Sequence, residues 1–421
     1  MKKISIIVIG ICFIFVSASI FSVIYLNLPD SYSETTAPVR LADDTNYTAE
    51  RLGSLVDSLN NFSFNFYNHV SEGNNSNIFF SPYSIFVALS MAYEGARGNT
   101  AAEMSNILNI LQNDSATKGS FARIYNLLNQ KQEGYKISTA NAFWANQNYK
   151  FLPEYISILQ NYYMAEAHEL DFSDNEQASD IINTWIELKT NNKIKDMIDP
   201  NALSELTAMV LTNAIYFKGL WEFPFDPQNT TESDFKTTNN ETTKVNMMSL
   251  YNTKFNYTET SDLQILKLPY SGNDLSMIIV LPKENNISVA ESELSAENLA
   301  EWNDKFNEIK IDVKIPRFTF TSDYNLNDIL KQMGMVDAFE RTAADFSGMD
   351  GTRSLFISDV LHKAFVQVNE EGTEAAAATA VIVTMNANTD SFTADHPFVF
   401  LIQHEQTGAV LFMGKVMAPV E

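Results

Sequence analysis

The five histidines (His69, His168, His362, His396 and His404) and the single cysteine, Cys12, are the side chains best suited to hold a metal or attack a substrate. No histidine stands in an HExxH or comparable ligand spacing, and no GxSxG elbow occurs. One cysteine allows neither a disulfide nor a cysteine zinc site. We therefore expect no enzyme, no metal and no cofactor. A different chemistry, conformational switching, is open to Glu370-Glu371-Gly372-Thr373-Glu374 and the residues after it, Ala375, Ala376, Ala377, Ala378, Thr379, Ala380, Val381, Ile382, Val383, Thr384, Met385, Asn386 and Ala387. Composition supports two readings. Alanine favours a short helix and Val-Ile-Val a buried strand. Minimal side chains after a flexible glycine also suit a strand that slides between two strands already packed, so one segment fits both a solvent-exposed loop and a central β-strand.

The elements around this segment are mixed. Leu55, Val56, Leu59, Phe66 and Val70 fall at helical spacing. Ser81-Pro82 places a capping hydroxyl before a first-turn proline, with Ile85, Leu89 and Tyr93 following until Gly95. Thr100-Ala-Ala-Glu103 reads as a capping box opening a third helix. Strand-like runs cover 138–144, 207–217, 263–269, 275–282, 309–320, 355–369 and 396–415, interleaved with helices near 153, 176, 295 and 325. No internal repeat or second linker divides them, so one α+β domain is expected over residues 48–421.

Apolar residues make up 45% of the chain, charged residues 19%, and the net charge is -24. This is globular chemistry that argues against a nucleic-acid or heparin-type site, since both need clustered Lys and Arg. At the N-terminus, Lys2 and Lys3 precede an uncharged apolar stretch over residues 4–28, long enough for a bilayer core of about 30 Å. Residues 1–28 read as an export signal kept as an anchor, or as a signal peptide cleaved after Val16-Ser17-Ala18. Gly10-Ile11 before Cys12 does not fit lipidation. Residues 29–47 read as a polar tether. Sequons such as those at Asn46, Asn240 and Asn286 fit an extracellular or cell-surface protein.

Glu370, Gly372, Thr373 and Ala375 to Ala378 resemble the reactive-centre hinge of inhibitory serpins. Motifs along the rest of the chain agree in family order: Asn77-Ile-Phe-Phe-Ser81-Pro82, Thr212-Asn213-Ala-Ile-Tyr-Phe217-Lys218-Gly219-Leu-Trp221, Leu268-Pro-Tyr270, Pro316-Arg317-Phe318, Asp395-His-Pro397-Phe398 and Leu411-Phe-Met-Gly414. The resemblance covers residues from about 50 to 421. It implies an α+β fold of about nine helices around a large central sheet with two smaller sheets, and an exposed reactive-centre loop over about 370–394.

By the same resemblance, the partner is a serine protease that is consumed together with its inhibitor. It cuts the loop, forms an acyl-enzyme and is trapped as the loop inserts into the sheet. Family spacing puts the reactive bond at Asn386-Ala387, with Met385-Asn386 as the alternative. No Lys or Arg is present there, so chymotrypsin-, elastase- or subtilisin-like targets are expected, or an asparagine-specific cysteine protease if Asn386 is read literally. Ser81, Ser84, Asn213 and His362 match the cluster that controls sheet opening, and Trp221 the point where insertion starts. Each of these alone could equally be a cap or a satisfied core residue. A monomer is expected. A non-inhibitory serpin, acting as a chaperone or binding protein, is the second reading.

Overall fold

The computed structural model describes residues 40–110, 114–129, 134–237, 241–373 and 390–420. The apolar N-terminal segment, Ala375 to Ala378, and Met385, Asn386 and Ala387 lie outside the described residues. Ten α-helices occur among them: α1 (Ala49–Ser71), α2 (Pro82–Gly95), α3 (Gly98–Leu108), α4 (Ser115–Asn129), α5 (Pro153–Ile158), α6 (Asn175–Lys189), α7 (Ile287–Ser292), α8 (Ala296–Lys305), α9 (Asn327–Gln332) and α10 (Ser347–Asp350). The strands are β1 (Ile78–Phe80), β2 (Tyr135–Asn146), β3 (Glu166–Leu170), β4 (Met209–Leu220), β5 (Thr231–Lys236), β6 (Thr242–Glu259), β7 (Leu263–Pro269), β8 (Leu275–Pro282), β9 (Asn307–Pro316), β10 (Phe318–Asn325), β11 (Asp359–Asn369), β12 (Gly372–Thr373), β13 (Asp390–Thr393), β14 (Phe398–His404) and β15 (Val410–Val416).

Helix α1 buries Leu55, Val56, Leu59, Phe62, Phe66 and Val70, the face its spacing predicts. It begins where Thr48 accepts the Arg51 N–H at 3.1 Å. The Ser81 hydroxyl caps α2 in the same way, accepting the Ser84 N–H at 3.1 Å with Pro82 in the first turn. The body starts earlier than the tether boundary at residue 47 suggests. Ala42 is buried, its N–H donating to Asn126 Oδ1 at 2.8 Å and its carbonyl accepting from Asn126 Nδ2 at 3.0 Å. The expected capping box is also absent, because α3 starts at Gly98, two residues before Thr100. Both side chains instead serve distant backbone: Thr100 accepts the Asp345 N–H at 3.0 Å, and Glu103 those of Val336 and Asp337 at 2.8 and 2.7 Å. Loop N–H groups with no ladder partner compete for the same acceptors.

The central sheet has six strands, running β10, β11, β4, β2, β3, with β12 entering between β11 and β4 at one end. It is covered on both faces. Met209, Leu211, Ile215 and Phe217 of β4 join the main core with α1 and α2, while Val210 and Ala214 join a second core with Ile182 and Ile186 of α6. This is why apolar residues fall on both faces of 207–217 instead of alternating, with Thr212 and Asn213 as its polar interruption.

The two smaller sheets expected from the resemblance run together here as one nine-stranded ladder, because the 18 residues of β6 pair with β5 at one end, β7 at the other and β9 between. The run 309–320 divides at Arg317, whose N–H donates to the Asn246 carbonyl at 2.9 Å, so β9 lies in the nine-stranded sheet and β10 in the six-stranded one. The run 396–415 is the hairpin β14–β15. Among the described residues, no helix is long and apolar enough to cross a membrane.

Candidate functional site

The hinge forms where β11 ends. Asn369 Oδ1 accepts the N–H groups of Glu371 at 3.1 Å and Gly372 at 3.2 Å, closing a turn that sends the chain back as β12. Strand β12 pairs antiparallel on both sides: Thr373 with Val368 and Gly219, Gly372 with Asn369 and Leu220. Only glycine fits at 372, since a Cβ there would lie 1.9 Å from the Gly219 carbonyl oxygen. Thr373 is buried, with its hydroxyl 2.8 Å from that of Tyr270. Trp221 stacks on the Tyr270 ring with centroids 4.7 Å apart, donates from its indole to the Asn369 carbonyl at 3.0 Å, and donates its backbone N–H to the Glu371 carbonyl at 2.8 Å.

Glu370 anchors the turn. Its carboxylate accepts both Nε contacts of Arg317 at 2.8 Å, a further bond from Arg317 Nη2, and the Thr230 hydroxyl. Burial pushes its carboxyl up, but the Arg317 and Thr230 hydrogen bonds outweigh this and leave it below the ordinary carboxylate value.

The structure brings Ser81, Ser84, Asn213 and His362 together, and all four are fully buried. In the sheet, Asn141 of β2 sits level with Asn213 of β4, which sits level with His362 of β11. Asn213 donates to Asn141 Oδ1 at 2.6 Å and to the Ser84 hydroxyl, and its own carbonyl accepts from His362 Nδ1. His362 Nε2 accepts the Ser81 N–H at 3.1 Å, which fixes the ring as the neutral Nδ1-protonated tautomer. Burial pushes its pKa down to about 3. Ser81 Oγ completes the network by donating to the Leu411 carbonyl at 2.6 Å. Every polar atom faces another, as a buried network requires.

Strands β4 and β11 pair in parallel from Val210–Asp359 to Tyr216–Phe365, a seam with Asn213 and His362 at its middle that β12 parts at its end. The chain is described in the six-stranded sheet up to Thr373 and again from Asp390, where β13 pairs in parallel with β9 of the other sheet. The loop's two anchors therefore lie in different sheets.

Sequence reasoning missed Asn141, Thr230 and the roles of Tyr270 and Arg317. Asn141 carries no motif, and only cross-strand register sets it beside Asn213. The others lie far in sequence from the hinge they hold.

Comparison with known proteins agrees with this geometry. The family profile described as serpin (serine protease inhibitor) matches residues 57–419. A serpin-like protein of Thermococcus kodakarensis is 43% identical over 399 residues, covering 93% of this chain and 91% of its own. Human serpin B3 is 37% identical, covering 87% of this chain and 100% of its own. Among solved structures, uncleaved ovalbumin matches at 33% identity with a TM-score of 0.81, covering 87% of this chain and 100% of its own. Human thyroxine-binding globulin complexed with thyroxine matches at 31% and 0.81, covering 88% and 100%. The profile, the relatives and the shared fold together show that the chain belongs to the serpin family.

Proposed function

We propose that this serpin inhibits serine proteases by a single-use mechanism, in which the loop after Thr373 is cut, the protease is held as an acyl-enzyme, and the loop enters the seam between β4 and β11. The observation that carries the reading is β12: Gly372 and Thr373 already lie between these strands in an antiparallel register. Continued in that register, Ala375 comes level with Phe217 and Val366, and Thr379 with Asn213 and His362. The threonine hydroxyl then takes the place of the Asn213–His362 bond that opening breaks. Roughly 14 added residues of ladder, at a net ~0.5 to 1.5 kcal/mol per hydrogen bond, give on the order of 10 kcal/mol to drive the step.

The reactive bond is Asn386-Ala387, or Met385-Asn386, and the absence of Lys and Arg favours chymotrypsin-, elastase- or subtilisin-like proteases. Residues 4–28 export the protein and hold it at the cell surface, or are removed on secretion. The similarity to thyroxine-binding globulin favours a second reading, a non-inhibitory binding protein on the same fold.

Incubation with subtilisin, elastase and chymotrypsin tests the proposal. The expected result is a complex stable on a denaturing gel, a new N-terminus at Ala387 or Asn386, and a cleaved form that unfolds at higher temperature than the intact one. Loop cleavage by all three enzymes with neither complex nor stabilisation would favour the binding-protein reading.

A further inference from the structure

The seam between β4 and β11 is not free to open, because α6 and the chain after it lie across the outer face of the sheet. Ile182 and Ile186 of α6 pack on Ala140, Ala142 and Trp144 of β2 and on Val210 and Ala214 of β4. Ile194, Met197 and Ile198, which follow α6, join the same core, with Leu361 of β11 packed against it. Lys363, also on β11, donates to the carbonyls of Lys195 at 2.9 Å and Asp196 at 3.3 Å. The segment after α6 thus bridges both sides of the seam. Admitting a strand moves β4 and β11 apart by about 4.8 Å, so this segment must lift, and the end of α6 from which it departs must give.

Two side chains tie that end to the sheet: Asn191, just past α6, donates to the Ser138 hydroxyl and accepts from the Lys136 ammonium of β2, both at 3.3 Å, and Glu166 holds the last turns of the helix itself. Glu166 of the edge strand β3 accepts from the Lys189 ammonium at 2.8 Å through Oε1 and from the Trp185 indole at 3.3 Å through Oε2, so both donors come from the last turns of α6. His168 Nε2 approaches the same Oε2 at 3.1 Å. The imidazole of His168 stacks on Trp144 at 4.5 Å, and Trp185 meets Trp144 edge-on at 5.4 Å. The His168 contact and the Lys189 ammonium, working against partial burial, hold the Glu166 carboxyl below the ordinary carboxylate value, so it is ionised throughout the physiological range.

We propose that Glu166 is a positioning residue for loop insertion: it clasps the C-terminal end of α6 to the sheet edge and so sets how fast the seam can open. The proposal rests on the inhibitory reading above. The clasp is half-exposed, so it acts as a modest brake and not as a lock. It is present in the uncleaved protein, and its removal is expected to change the rate of insertion and not the ladder that insertion forms between β4 and β11.

The test compares the wild-type protein with Glu166→Gln and Lys189→Ala, using Lys254→Ala, which breaks an unrelated ion pair with Glu308 in the other sheet, as a control. Insertion after loop cleavage is followed by rapid-mixing fluorescence of Trp144 and Trp185, together with the number of inhibitor molecules consumed per protease trapped. The two clasp variants are expected to insert up to about 5-fold faster and to consume fewer molecules per protease trapped, with the thermal midpoint of the cleaved form and the Lys254→Ala control both unchanged. Insertion at or below the wild-type rate in both variants overturns the proposal. Failure of the underlying inhibitory reading is visible separately, as a wild-type protein that gains no thermal stability on cleavage.

Discussion

His362 has no water to turn to and two obligations to meet, one to Asn213 and one to the Ser81 backbone. Replacing it with alanine leaves buried polar groups on both sides without a partner and is expected to cost about 1 to 3 kcal/mol in equilibrium unfolding. The ring also makes stability depend on pH with a definite sign. Its folded pKa of about 3 lies below the ordinary 6.5, so the unfolded chain takes up the proton first. Stability is therefore expected to fall as pH drops from about 6.5 towards 3. The lowered carboxyl of Glu370 adds its own loss only below its ordinary 4.5. A denaturation series across pH should show this slope in the wild type and a smaller one in His362→Gln, where buried His404, whose pKa burial also lowers, keeps part of it. At this scale the sequence was partly legible. Ser81, Ser84, Asn213 and His362 stand within strong motifs, whereas Asn141 is one of many asparagines until the ladder pairs it with Asn213.

Among the elements, β12 carries the most. Its described residues, Gly372 and Thr373, enter the sheet through a glycine without a Cβ and a buried threonine small enough to lie beside Tyr270. Thr373→Arg would bring an uncompensated charge into that position, at a cost of several kcal/mol. The expected outcome is a protein that target proteases cut normally while the yield of covalent complex falls at least about tenfold on a denaturing gel. An undiminished yield would mean that entry at Thr373 is not the first step. The long apolar strands were legible because burial on both faces leaves an unbroken signal. The polar strands β5 and β6 were not, since burial along β6 is irregular and its Thr, Asn and Lys residues carry no period of two. The run 309–320 hid a change of sheet for a related reason: both halves are extended, and only tertiary pairing separates them.

At the level of the whole molecule, the loop begins in one sheet and ends in another. Its far anchor, β13, is four residues long, sits at the end of the nine-stranded ladder and is secured chiefly by the fully buried Phe392. On the proposed mechanism, loop cutting would free Gly372 and Thr373 to continue inward, whereas the intact chain could follow the same path only if β13 peeled from β9. A molecule waiting for its target would then have a shelf life set by the hold of β13 on β9. Phe392→Ala is expected to shorten the half-life of inhibitory capacity in the warmed, uncut protein several-fold, while freshly folded protein still traps proteases. On this view the protein ages by leaking through its own far anchor, and the strength of β13 fixes how long a stored molecule stays armed.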